Sequence, residues 1–224
     1  MTDLNAKLEK AFLGKIDYWL VGPLVTEKMT LSGCSFGQAH QFACVTTKPC
    51  YVQQAVNKLR GSQVKVGTTV GYPFGDNALP LKIAAIKHAL TEGAQELAIF
   101  INLGEFFEGR TDRIEGELRR LIGLTHMNGA ITKTVIDGQY FSASQLIRGA
   151  SVASRSGTDY VYIIFHEKFD QNVFDRIGTF QKSIPPSLHL GVQGDLQRLE
   201  DSQDLLGKGF SRLVIFEDEP ISST

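Results

Sequence analysis

A rhythm of strands organises this chain. Eight short β-rich runs, "KIDYWLVG", "QFACVTT", "VKVGTTVG", "ELAIFINL", "ITKTVID", "YVYIIF", "LHLGVQG" and "RLVIFE", recur at steady intervals through 224 residues. Between most of them apolar residues fall at helical spacing, as in Leu81, Ile83, Ala84, Ile86 and Leu90, or Leu146, Ile147, Ala150 and Ala153. Strand then helix, repeated, means parallel strands joined by helical crossovers. Eight such units in this length predict an α/β protein of the (β/α)8 TIM-barrel type, with a flat doubly wound sheet as the runner-up. Ser142 and Gln145 before "LIRGA" read as a capping box, and "LLGKG" closes a helix at Gly207 or Gly209. The first crossover is the weakest helix, because Gly33 and Gly37 interrupt it.

No linker, low-complexity tract or charge run divides the chain, so residues 1–224 are expected to form a single barrel domain. With 23 basic and 24 acidic residues the surface carries no footprint for nucleic acid or an anionic membrane. Cys34, Cys44 and Cys50 are too few and too irregular for a disulfide framework or a zinc site, which suits a reducing compartment. The N-terminal "MTDLNAKLEKAFLGKID" has no apolar signal-peptide region, and a cytoplasmic protein is expected.

A barrel of this kind places its chemistry at the C-terminal ends of the strands. Those ends carry several acids, among them Asp137, Glu167, Asp195, Glu217 and Asp218, which read as a solvated face rather than a metal site. "GYPFGDN" lacks a following Gly-Lys-Ser/Thr and reads as a tight strand-to-helix turn. His166 and His189 read as structural histidines, and His189 is free to face inward. Lys48 lies where strand two opens onto the rim; a lysine desolvated there gains nucleophilicity, although most rim lysines are solvated. Tyr162 poses a separate question. A phenol at the centre of an otherwise apolar buried strand needs a hydrogen-bond partner.

The run "VKVGTTVGYPFGDNALPLKIAAIKHALTEGAQELAIFINLG" resembles the deoxyribose-phosphate aldolase family, as do "KIDYWLVGPLVTE", "FACVTTKPCYV", "GTDYVYIIF", "LHLGVQGDLQRLED" and "FSRLVIF". Nearly the whole chain is covered. The resemblance implies a class I aldolase barrel in which a lysine on strand six forms a Schiff base, a second lysine on strand seven lowers its pKa, and an aspartate on strand four assists proton transfer. Those three positions are Tyr162, Gly191 and Ala98 here. A phenol forms no imine, so the resemblance assigns no catalytic residue.

The family's phosphate cradle departs as well. Ile163, Ile164, Phe165, His166 and Glu167 follow strand six, only Gly194 of a glycine pair follows strand seven, and Phe216 and Glu217 replace paired serines on strand eight. Tyr162, Ile164 and Phe165 are expected to fill the former substrate space. The candidate pocket comprises Asp17, Thr46, Lys48, Asn102, Tyr162, Gln193 and Gly194, with no metal and no cofactor. The expected function is that of a catalytically inactive member acting as a binding, scaffolding or regulatory subunit, with an unidentified protein partner and a homodimer left open. The alternative is an active aldolase with Lys48 as a relocated Schiff-base lysine and a substrate that is not a phosphate ester.

Overall fold

In the computed structural model, residues 13–165, 171–182, 184, 188–193 and 204–217 are described. Eight parallel strands close into a barrel: β1 (Ile16–Leu20), β2 (Cys44–Thr47), β3 (Lys65–Val70), β4 (Glu96–Phe100), β5 (Ile131–Asp137), β6 (Tyr160–Ile164), β7 (His189–Gln193) and β8 (Arg212–Phe216). Each pairs with its successor and β8 returns to β1, so no sheet edge is left open. The crossovers carry α1 (Glu27–Ala39), α2 (Val52–Lys58), α3 (Leu79–Thr91), α4 (Leu103–Phe107), α5 (Thr111–Met127), α6 (Ala143–Arg155) and α7 (Gln171–Lys182). The barrel expectation holds, and the flat sheet is excluded by closure.

Strand alternation builds two cores. One face of each strand packs on the helices, through residues such as Ile16, Tyr18, Leu20, Val45, Leu97 and Val192. The other face fills the barrel, where Trp19, Val21, Ala98, Phe100, Val135, Tyr162, Ile164 and Val214 form a separate cluster. Phe165 is the exception to the expected filling of the interior. It belongs to the outer core, where its ring lies against Gly138 and under Arg176, because it falls one residue past inward-facing Ile164.

The first crossover is a full 13-residue helix, opened by Thr26, whose side chain accepts from the Met29 amide. Its glycines are contact points rather than breaks. A Cβ at Gly33 would sit 2.3 Å from Leu20 Cδ1, and one at Gly37 would sit 2.7 Å from Val45 Cγ2, so their absence lets α1 lie close on β1 and β2. The capping box at α6 is present in both directions between Ser142 and Gln145. Residues 204–207 are helical and Gly209 takes a positive φ of 96°, as the "LLGKG" signal requires. "GYPFGDN" is a turn in which the Gly75 amide donates to the Gly71 carbonyl at 2.7 Å. A Cβ on Gly75 would lie 2.1 Å from the Ile101 carbonyl oxygen. Lys82 is buried on α3 and reaches Glu117 on α5 at 2.6 Å, tying the two crossovers together. Among the described residues no helix is long and apolar enough to cross a membrane.

Candidate functional site

The interior has two layers. Toward the N-terminal ends of the strands, Asp17 on β1, Glu96 on β4, Lys133 on β5 and Arg212 on β8 form a charged cluster. The side chains of Asp17, Glu96 and Lys133 are wholly buried. The Lys133 ammonium pairs with Asp17 Oδ2 and lies 2.6 Å from Glu96 Oε2 and 3.5 Å from Cys44 Sγ. Arg212 Nη2 lies 3.4 Å from Glu96 Oε1, so two bases face two acids. Asp17 Oδ1 also accepts from Thr46 Oγ1 at 2.7 Å. Charges buried this deeply are tolerated only when paired and hydrogen-bonded.

Protonation follows from these contacts. Burial pulls the Lys133 ammonium toward neutrality, but Asp17, with Cys44, Glu96 and Tyr162 behind it, reverses this and holds its pKa well above the ordinary lysine value. Burial pushes the Asp17 carboxyl up, and the charge and hydrogen bond of Lys133 bring it below the ordinary aspartate value. Burial raises the Cys44 thiol, and Asp17 and Glu96 raise it further. Asp17, Cys44 and Glu96 have donor atoms close enough to share a metal ion, but the Lys133 ammonium already sits among them. The arrangement holds a fixed cation of its own.

Tyr162 answers to the same cluster. Its hydroxyl donates to Asp17 Oδ2 at 3.1 Å, which satisfies the phenol inside the barrel, and burial keeps its pKa well above the ordinary tyrosine value. Its ring lies beneath the C-terminal layer and 5.3 Å, centroid to Nζ, from Lys133. Gly191, its partner on β7, is the condition for this placement. A Cβ there would stand 2.4 Å from the ring. Ala98 on β4 is buried and pairs in register with Lys133. Tyr162, Gly191 and Ala98 therefore occupy one connected region, in which the absence of a side chain on β7 leaves room for the tyrosine ring on β6.

Above this lies an aromatic layer. Trp19 packs against Phe216 at 5.2 Å and against Phe100 and Tyr162 at 6.3 Å each, and Tyr72 meets Phe100 at 5.2 Å. The Trp19 side chain is fully buried, and among the described residues its Nε1 has no hydrogen-bond partner.

The other candidates fall elsewhere. Lys48 Nζ donates to the carbonyls of Pro23 at 3.1 Å and Val25 at 2.7 Å, which fastens the loop after β1. Asn102 caps α4, its side chain accepting from the Glu105 amide. Gln193 Oε1 accepts from the Phe165 amide at 2.8 Å. Gly194, His166, Glu167, Asp195 and Asp218 lie outside the described residues. Of the rim acids that are described, Asp137 caps its own turn and Glu217 accepts from Tyr18 at 2.9 Å. His189 is exposed, with its ring 5.3 Å from that of Tyr160. The structure thus brings Asp17, Thr46 and Tyr162 together and leaves Lys48, Asn102 and Gln193 in separate structural roles.

Sequence reasoning missed Lys133, Glu96 and Arg212. The signal was present in "ITKTVID", where a lysine interrupts a strand in the same way that Tyr162 interrupts its own. The inward set on β5 is Lys133, Val135 and Asp137.

Chains named deoxyribose-phosphate aldolase from Desulfitobacterium hafniense and Treponema denticola are 31% and 25% identical to this one, over 89% and 88% of its length and 92% of each relative. The chain belongs to the deoxyribose-phosphate aldolase family. No protein-family model matches it. Solved structures share the fold of this family member. A putative deoxyribose-phosphate aldolase from Coccidioides immitis superposes with a TM-score of 0.81 at 22% identity, covering 95% of this chain and 90% of the other. The tetrameric deoxyribose phosphate aldolase from Aeropyrum pernix gives 0.79 at 18% identity, with 98% and 93% covered.

Proposed function

We propose that this family member does not run imine chemistry and acts instead as a non-catalytic binding or regulatory protein. The observation that carries the reading is Tyr162. At the position where the family resemblance places the imine-forming amine stands a phenol that is buried, hydrogen-bonded to Asp17 and packed over a glycine.

Neither described lysine near the barrel interior offers a substitute. Imine formation needs a free amine lone pair. Lys133 stands beside Tyr162 but is held as an ammonium by two buried carboxylates. Lys48 directs two of its three ammonium hydrogens to backbone carbonyls. Its role in the alternative reading would require those bonds to break.

The test is borohydride trapping of the pure protein with acetaldehyde and with 2-deoxyribose 5-phosphate, followed by the mass of the intact chain and an assay for cleavage. No stoichiometric adduct and no cleavage is the expected result. A single adduct on Lys133 or Lys48, or measurable turnover, would overturn the reading.

A further inference from the structure

Between α1 and α2, on the outer ring of helices, the surface holds a cleft of about 520 Å³. Glu27, Lys28, Leu31, Ser32 and Ser35 of α1 line it, together with Lys58 from the last turn of α2. The α1 residues recur at i, i+4 and i+8, on the face opposite the one that packs on the barrel through Thr30, Gly33, Cys34 and Gly37. Leu31 is half-buried, and Lys28 and Lys58 are exposed on either side of it. The serines keep the floor low, since Ser35 turns its hydroxyl back onto the Leu31 carbonyl at 3.1 Å.

The charges of the cleft are unbalanced. Glu27 is its one acid and stands in the first turn of α1, where the helix dipole favours it. Among the described residues neither Lys28 nor Lys58 has an acidic partner. Burial pushes the Cys34 thiol up to about 12 and the charge of Lys58 opposes that shift, which places the α2 ammonium within reach of α1. One apolar contact between two unpaired cations fits a helix of the opposite pattern, a leucine flanked by acids. A second copy of this chain fits poorly, because a two-fold interface would set the same excess of positive charge against itself. Nucleic acid is disfavoured by two isolated lysines on a chain of net charge −1.

We infer that the α1–α2 cleft is a docking groove for an acidic amphipathic helix of a partner protein, with an apolar side chain of that helix on Leu31 and its carboxylates on Lys28 and Lys58. The inference extends the binding reading above by naming a surface and the chemistry of the partner.

The probe is a labelled peptide of about 14 residues, stapled because so short a helix is marginal in water, with leucine on one stripe and glutamate on both flanks. Titration with the full chain is expected to raise its fluorescence anisotropy saturably. The same peptide with lysine in place of glutamate should bind at least about threefold more weakly, the scale of two exposed ion pairs. The double variant Lys28→Glu, Lys58→Glu should invert that preference, and Leu31→Ala should weaken both peptides.

No saturable binding would overturn the inference, and so would equal binding of the two peptides or a preference that the double variant leaves unchanged. A dimer of the protein alone, seen by sedimentation and dissolved by Leu31→Glu, would assign the cleft to a second copy and overturn it as well. If the double variant unfolds at a lower temperature than the parent, the comparison of the two peptides on the unaltered protein decides. An adduct in the borohydride experiment would remove the non-catalytic reading and leave this groove standing, whereas failure of the peptide to bind would do the reverse.

Discussion

The two layers inside this barrel are built on opposite principles. In the N-terminal layer, position is fixed by charge: Lys133 stands between Asp17 and Glu96, and Arg212 closes the far side of Glu96. In the C-terminal layer, position is fixed by shape, through rings that contact one another at centroid distances of 5.2 to 6.3 Å. Tyr162 joins them, with its hydroxyl in the first layer and its ring in contact with the second. The difference bears on function. A layer of mutually paired charges resists change at any single member, whereas an apolar layer tolerates substitution of similar volume. The lower layer is therefore the rigid floor, and the upper one is the layer that tolerates a change of shape.

The largest effect is expected at Lys133. Lys133→Met leaves Asp17 and Glu96 facing each other without their shared cation, and loss of one partner of a buried ion pair costs about 3–5 kcal/mol. Urea unfolding of the variant is expected to show a loss of that size. Lys48→Met, which removes hydrogen bonds at a partly exposed site, is expected to lose much less, about 1 kcal/mol. Equal losses would mean that the charged layer is not the floor of the barrel.

At the junction, Gly191→Ala introduces a methyl 2.4 Å from the Tyr162 ring. Overpacking of this kind costs about 1–3 kcal/mol. In the double variant with Tyr162→Ala, the methyl enters the space the ring has left. The two changes should be less harmful together than their sum, with a coupling of about 0.5–3 kcal/mol. Strict additivity would show that the glycine and the tyrosine do not depend on each other. Tyr162→Phe, which deletes only the hydroxyl, is expected to cost about 1 kcal/mol in the same assay, since Asp17 keeps its bonds to Lys133 and Thr46.

The barrel itself was legible because its evidence is periodic: each strand is a local run and each crossover repeats the helical spacing. α1 was harder to see because Gly33 and Gly37 look like breaks in one dimension and are close contacts with Leu20 and Val45 in three. The same limit shaped the site. Tyr162 stood out as a polar group in an apolar strand, but Lys133 did not, because its partners Asp17 and Glu96 come from strands 116 and 37 residues away in the chain. Lys48 looked available for chemistry because the carbonyls it serves, Pro23 and Val25, lie 25 and 23 residues upstream in a loop whose path the sequence does not reveal. Local departures from a pattern can be read directly; partners supplied by closure of the barrel cannot.

The smallest effect expected is that of pH on the charged layer in the neutral range. Asp17 has its folded pKa lowered, so its contribution is present above the unfolded aspartate value of about 3.9 and is lost as pH falls through the folded value. Lys133 has its folded pKa raised, so its contribution is present below the unfolded lysine value of about 10.4 and is lost as pH rises through the folded value. Between about pH 5 and 9 neither group changes charge in either state, and the contribution of this pair to stability is flat. Lys133→Met removes that flatness. Without the ammonium, burial of Asp17 is opposed only by Arg212 and the Thr46 hydroxyl, its pKa rises, and acid protonates and relieves it. The stability difference between the two proteins should therefore be widest at neutral pH and narrow toward pH 4, as read from urea midpoints across the range. A difference that stays constant through that descent would mean that Asp17 does not depend on Lys133 for its charge, and the two layers would then differ in composition but not in the way they are held.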